Sequence, residues 1–494
     1  MIKFLPVFII ICLSLSTAFA QNNVPFDKYF EDATLRIDYY HIADSETDIF
    51  TVDKLYRQGI WAGNKKNLVD EFNQGRYYVK IYDAESDKLI FSKGFDSYCG
   101  EYKTSDPAMK GIKRTYHESA LIPFPRKLIL FTIEMRDRQN VLHPIFSQSI
   151  KPDSVYVIQD DWLNNVKVYE AHISGQPNDK VDIAIVGEGY TMTEQYKFVQ
   201  DLKYYTDVLF NHEPYKSQKD KFNVYGVLRS SEESGTDEPR ANIYRSTVLN
   251  STFNSMGSER YLLTEDNKSV RDIAAHVPYD ALLIMVNHKR YGGGGIYNSF
   301  LTFTSDNQWK DYVFIHEFGH SFAGLADEYY TSSTAYSEFY PQGIEPTEPN
   351  ITALLNPDEV KWEAFLSKKI KVPTPWEKAG YDSMDIKYQK IRTEVNDKVA
   401  SLKRERAPAE EIQAAEAESE ELSLVHAKKV DKFLESSKYY GKVGVFEGAG
   451  YTSEGLYRPM IDCIMFTKGD KPFCKVCENA IIEVIKHYTE KISK

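Results

Sequence analysis

The segment 309–330, WKDYVFIHEFGHSFAGLADEYY, constrains the fold of this 494-residue chain more than any other. Phe314, Phe318, Phe322 and Leu325 recur at spacings of three or four, an apolar stripe that a helix buries against a core. On the same period His316 and His320 stand at i and i+4, one turn apart on one face. Two imidazoles so placed can grip one Zn²⁺. Glu317, beside the first, then reaches a water on the metal without ligating it and serves as general base towards a carbonyl. Two histidines satisfied by structural contacts on a helix are the plain alternative.

A three-ligand zinc site needs one more donor. Gly324 suits a helix C-terminus, and the chain then offers Asp327 and Glu328. In the metzincin pattern, H-E-x-x-H-x-x-G-x-x-H, the glycine and third ligand come three and six residues after the second histidine. Here Gly324 and Asp327 are each displaced by one, and a slightly longer turn delivers Asp327 to the same place. Asp327 is preferred to Glu328, with Glu447 as the fallback. Metzincins also carry a methionine turn beneath the metal, and GLYRPMIDCIMF offers Met460 and Met465, of which Met465 fits better. Arg458 is a candidate for binding a substrate carboxylate or an oxyanion, or for a structural ion pair.

These residues resemble a known family. HEFGHSFAGLADEYY is similar to the H-E-x-G-H-x-x-x-x-L-x-D-E-Y signature of the IgA-specific metallopeptidases. VDIAIVGEGYT, FNVYGVLRSSEESGTD and VGVFEGAGYTSEGLYRP agree with it as well. The resemblance spans roughly 165–494, and the region before it resembles the N-terminal domain that often accompanies the family. It implies zinc on His316, His320 and Asp327, with Glu317 as general base.

Around the motif the chain reads as two layouts. Between about 24 and 160, short β-branched and aromatic runs such as TLRIDYYHIA, RYYVKIYDA and KLILFTIEMRD alternate with turns, predicting an all-β sandwich over 21–160. A weak helical tendency near Leu55 interrupts it. His41, His117 and His143 are scattered there and read as core or surface residues. From 161 to 494 strands alternate with helices, as in an α/β (α+β) metzincin-like catalytic domain. Four glycines, Gly292–Gly295, lead into Ile296–Phe303, which reads as one strand bordering the cleft with an edge free to pair with extended peptide. Residues 377–440 are charged, Ala-rich and predict two long helices broken near Ala407-Pro408, an inserted hairpin that is either a solvated face or a substrate-excluding lid or partner arm.

Lys3, the apolar run Phe4–Leu15 and Ala18-Phe19-Ala20 predict an export signal over residues 1–20. The product is then periplasmic, cell-surface or secreted, with no later membrane span. Acidic residues outnumber basic ones, 72 to 60, which argues against nucleic acid or anionic membrane as partner. Four cysteines remain in the mature chain: Cys99, Cys463, Cys474 and Cys477. A structural zinc site needs four ligands and the sequence shows no second cysteine pair, so a local disulfide from Cys463 to Cys474 or Cys477 is expected.

The leading expectation is thus an exported zinc endopeptidase cutting protein or glycoprotein substrates. A surface protein that binds glycan or protein around a residual zinc site is one alternative. A zinc amidase acting on cell-wall or glycan amides is another. The sequence leaves the oligomeric state open.

Overall fold

Strand Phe30–Ala43 is buried along most of its length because it pairs on both sides, with Asp48–Gln58 and with Arg114–Pro125. Val157–Gln159 completes this four-stranded sheet. A second four-stranded sheet runs Leu89–Phe95, Tyr77–Asp83, Ile129–Arg136, Leu142–Ile150. Leu35, Ile37 and Tyr39 from the first sheet share one apolar core with Val79, Ile81, Phe131 and Ile133 from the second. The computed structural model describes residues 24–159, 163–259, 261–331 and 340–490. The expected export signal and the expected junction at 160–161 lie outside the described residues.

Two local expectations are corrected here. The segment around Leu55 is strand, not helix, because pairing to Phe30–Ala43 overrides its weak helical propensity. The β-rich region is also not purely β: Phe26–Tyr29, Tyr98–Tyr102 and Asp106–Met109 are single helical turns.

The rest of the chain is mixed α/β. Its six-stranded sheet has the order Gly293–Ile296, Phe300–Thr304, Ala281–Val286, Val181–Glu188, Phe222–Leu228, Lys167–His172. The four inner strands are parallel and both edge strands antiparallel. The inner strands are buried throughout, and mostly apolar, because helices and loops cover both faces. The strand expected over Ile296–Phe303 is instead a hairpin. Gly293–Ile296 pairs back on Phe300–Thr304 through a turn in which Asn298 takes a left-handed φ of 53°. The glycines themselves form the edge strand, and its outer side is bridged at Gly293 by Tyr261.

Helices Lys378–Arg404 and Ala409–Glu435 form the expected hairpin, turning at Arg406 (φ 55°) just before Pro408. It is anchored to the rest of the molecule at several points along its length. Tyr381, Val430 and Leu434 join the main core, Trp309 donates to Ser423 Oγ at 3.0 Å, and Lys403 pairs with Glu238 at 3.1 Å. Strands Val443–Ala449 and Thr452–Met460 follow, then the helix Lys475–Thr489, whose Tyr488 stacks on Phe322. Among the described residues no helix is long and apolar enough to cross a membrane.

The β-rich region is bonded to the sheet edge that carries the glycines. The Asp96 amide donates to Tyr297 O at 2.9 Å, and Asn298 Nδ2 donates to Gly94 O at 2.8 Å. Arg36, almost fully buried, forks onto Asp38 within its own strand and reaches Asp272 at 2.7 Å on the helix Asn267–Ala274. Replacing Arg36 with Met leaves the buried Asp38 carboxylate with only the Ser119 hydroxyl and the more distant His117 ring as partners. Equilibrium unfolding in denaturant is expected to report a loss of about 3–5 kcal/mol.

Candidate active site

The motif helix spans Lys310–Ala323. Its aromatic stripe is inside: Phe314 meets Tyr205 and Phe303, and Phe318 meets Tyr215. Gly324 ends it in the left-handed region at φ 59°. The Gly324 amide donates to His320 O at 3.0 Å, and the Leu325 amide reaches back to Gly319 O at 3.2 Å. This cap satisfies the last carbonyls and turns residues 325–328 back beside the two histidines.

On the other flank the glycine strand lies almost in contact with the helix backbone. A Cβ on Gly295 would sit 2.6 Å from Glu317 O and 3.0 Å from His320 Cβ, and one on Gly293 would sit 2.7 Å from Val313 Cγ1. The glycine run is therefore a packing requirement: any side chain at these positions pushes the edge strand off the helix.

Three donor atoms converge. His316 Nε2 and His320 Nε2 are 3.1 Å apart, and Asp327 Oδ1 lies 3.0 Å from the first and 3.2 Å from the second. Each ring is oriented from behind. His316 Nδ1 faces Ile464 O at 3.0 Å, and His320 Nδ1 faces Leu325 O at 2.5 Å. A carbonyl only accepts, so both Nδ1 atoms carry the proton and both Nε2 lone pairs point at the shared centre. Donors about 2 Å from a tetrahedral metal stand roughly 3.3 Å apart, so the spacing fits a divalent transition metal. Asp327 Oδ2 is occupied separately by the Tyr451 hydroxyl.

The charges balance within this group. Burial opposes charge on His320, yet the Asp327 carboxylate, with Glu317 nearby, raises it to about 9. Burial likewise favours neutral Asp327, but His320 and His316 hold it well below the usual carboxylate range. A buried carboxylate facing two ring nitrogens is a place where a cation is held.

Glu317 lines the same cavity as the three donors, is only partly buried and does not join them. Met465 is fully buried under the helix: a Cβ on Gly319 would meet its Sδ at 3.0 Å. Glu328 turns away from the centre. It is fully buried among Cys463, Cys474 and Cys477, and burial pushes its carboxyl well above the usual range. Arg458 is fully buried, its guanidinium 3.8 Å from the Phe466 ring centroid and 4.5 Å from that of Trp376. It donates to the Gly448 and Glu447 carbonyls and does not line the cavity, so of the two roles open to it the contacts are structural, to main-chain carbonyls in place of an ion pair. Glu447 also stays outside the donor set; its Oε1 accepts from the Gly455 amide at 3.3 Å.

Two supports carry no local signal in the sequence. Tyr451 orients Asp327 from a distant hairpin turn. Asn350, fully buried, accepts from the Ala326 amide at 2.8 Å and donates to Ala326 O at 2.9 Å and Glu328 Oε1 at 3.1 Å. With Gly450 N on Asp327 O and Glu328 N on Met465 O, this segment is held residue by residue.

The cavity over the donors is walled by the glycine strand on one side and by Tyr388, Gln389 and His426 of the helical hairpin on the other. The hairpin is thus part of the cleft and not only a solvated face. His426 Nε2 bonds Asp385 Oδ1 at 2.6 Å and stacks on Tyr388, which stiffens that wall.

The motif helix, the three donors and Glu317 together line one cavity. The chain belongs to the IgA peptidase M64 family: the family pattern described as IgA Peptidase M64 matches residues 170–485. The pattern described as Peptidase M64 N-terminus matches residues 25–147. No curated protein matches the chain.

Replacing Tyr451 with Phe leaves the second oxygen of Asp327 without its donor. Metal affinity, read by competition with a chromogenic chelator, is expected to fall about 10- to 100-fold with the fold intact.

Proposed function

We propose that this protein is an exported zinc endopeptidase that cuts extracellular protein or glycoprotein chains. The observation that carries the reading is the convergence of His316 Nε2, His320 Nε2 and Asp327 Oδ1, each ring fixed through Nδ1 by a main-chain carbonyl. Two nitrogens and a carboxylate oxygen with a position left open suit catalytic zinc, and the order His-Glu-x-x-His followed by a turn and the third donor over a buried methionine is metzincin-like. Zinc held by these donors supplies Lewis acidity, polarising the scissile carbonyl and making water a stronger acid near neutral pH.

The chain's own residues do the rest. Glu317 takes the proton of the attacking water and returns it to the leaving amine. Asp327 stays ionised through its histidine partners, and Tyr451 fixes its direction. The glycine strand sets the width of the floor beside Glu317. The hairpin wall carrying Tyr388 and His426 limits what enters, which favours an extended segment of chain over a folded surface.

Glu317→Ala is expected to keep its metal equivalent and lose about 10²- to 10⁴-fold in peptide hydrolysis. A peptide-library digest read by mass spectrometry checks this and gives the sequence preference. Equal activity in parent and variant defeats the reading. Hydrolysis confined to glycan or cell-wall amides turns it into the amidase alternative. Protein recovered outside the cytoplasm is expected to begin at Gln21 on N-terminal sequencing.

A further inference from the structure

Glu328, Cys463, Cys474 and Cys477 bring four ligand atoms within 4.8 Å of one another, and all four residues are buried. We propose that this cluster is a second metal site, a structural one, binding a zinc-type ion through three thiolates and one carboxylate. It is separate from the centre on His316, His320 and Asp327, and neither its donors nor its test involves hydrolysis.

The distances are those of a metal cage and not of a disulfide. Cys463 Sγ and Cys477 Sγ are 4.0 Å apart, against about 2.05 Å for a bonded pair. Sulfurs each about 2.3 Å from a tetrahedral zinc stand roughly 3.8 Å apart. The disulfide expected from the sequence is therefore not formed, and all three thiols are free. Cysteine arithmetic points the same way. Three thiols cannot all pair with one another, and Cys99 lies elsewhere, beside His41 in the β-rich region.

The surroundings are those of thiolate ligands. The Cys474 amide donates to Cys463 Sγ at 3.1 Å, and the Cys477 amide points to Cys474 Sγ at 3.5 Å. Cys474 caps the helix Lys475–Thr489, so the partial positive end of that helix faces the sulfurs. The fourth donor is already aimed. Glu328 Oε1 is 3.3 Å from Cys477 Sγ and is held by Asn350, while Oε2 is buried with no hydrogen-bond partner. A fully buried carboxylate with an unanswered oxygen is costly without a cation beside it. Arg458, buried nearby, offsets part of the negative charge. Three soft sulfurs and one oxygen at tetrahedral spacing suit zinc better than calcium or magnesium.

The position gives the ion a purpose. Cys463 immediately precedes Ile464, whose carbonyl orients His316, and stands two residues before Met465. Glu328 immediately follows Asp327. An ion here ties the turn behind the first histidine to the segment carrying the third donor and to the C-terminal helix.

Metal analysis of the full chain, prepared under mild reduction, is expected to give two equivalents. His316→Ala is expected to lose one and keep the other, and Cys474→Ser to lose the second. Should Cys474→Ser fail to fold, cobalt exchange into the unaltered protein and into His316→Ala decides. Both are expected to show thiolate-to-cobalt charge-transfer absorption. A single equivalent lost entirely in His316→Ala overturns the second site, as does absence of the charge-transfer band. So does a Cys463–Cys474 or Cys463–Cys477 disulfide found by mass spectrometry in untreated protein. A single equivalent that keeps the thiolate band upholds this site and removes the catalytic one, so the two readings fail separately.

Discussion

His316 faces two ways. Its Nε2 meets His320 and Asp327, while its Nδ1 donates to the carbonyl of Ile464. The second bond decides whether the first set of atoms can converge, because it fixes the ring's tautomer and rotation. It also crosses from the motif helix to a turn far along the chain, so that turn must be rigid. Met465 packs under Gly319, Met465 O receives the Glu328 amide, and the Phe466 amide closes on Cys463 O at 2.9 Å. The turn over 463–466 thus holds the Ile464 carbonyl oxygen in place.

How far the sequence revealed this depends on the range of each interaction. The two histidines and Glu317 were legible because one helical turn relates them. Asp327 was legible because it follows within a short capped turn, and Met465 because its neighbours match a family pattern. Tyr451 and Asn350 were not, since a tyrosine in a hairpin and an asparagine in a loop have no period or spacing that marks them. The pairing of Glu328 with the cysteines was hidden for the same reason: three ligands cluster near the C-terminus and the fourth sits inside another motif. Arg458 was left open between a substrate contact and a structural ion pair, because nothing in the sequence shows the aromatic rings that enclose it. In the fold, apolar strands declared themselves. Arg114–Pro125 and Asp48–Gln58 did not, because each takes its strand character from pairing with Phe30–Ala43.

The glycine strand is the clearest case of composition explained only by contact. As sequence, four glycines read as freedom of backbone. In the fold they mean absence of side chain: helix backbone stands where a Cβ on Gly295 would be, and the side chains of Val313 and Leu263 stand where those on Gly293 and Gly294 would be. The turn beyond them is tied to the β-rich region through Asp96 and Asn298. The N-terminal β-rich region thereby braces one wall of the cleft, and the hairpin helices form the other.

Asp327 and Glu328 are neighbours that serve different centres. Their side chains leave the segment in different directions. One carboxylate goes to the two histidines and the next to the three cysteines. This segment therefore keeps count, like a strand in register. Inserting or deleting a single residue between Gly324 and Asp327 would present each centre with the wrong member of the pair, or with none. Such a stretch can drift in the residues around it but not in length, and the two centres it feeds are bound to change together.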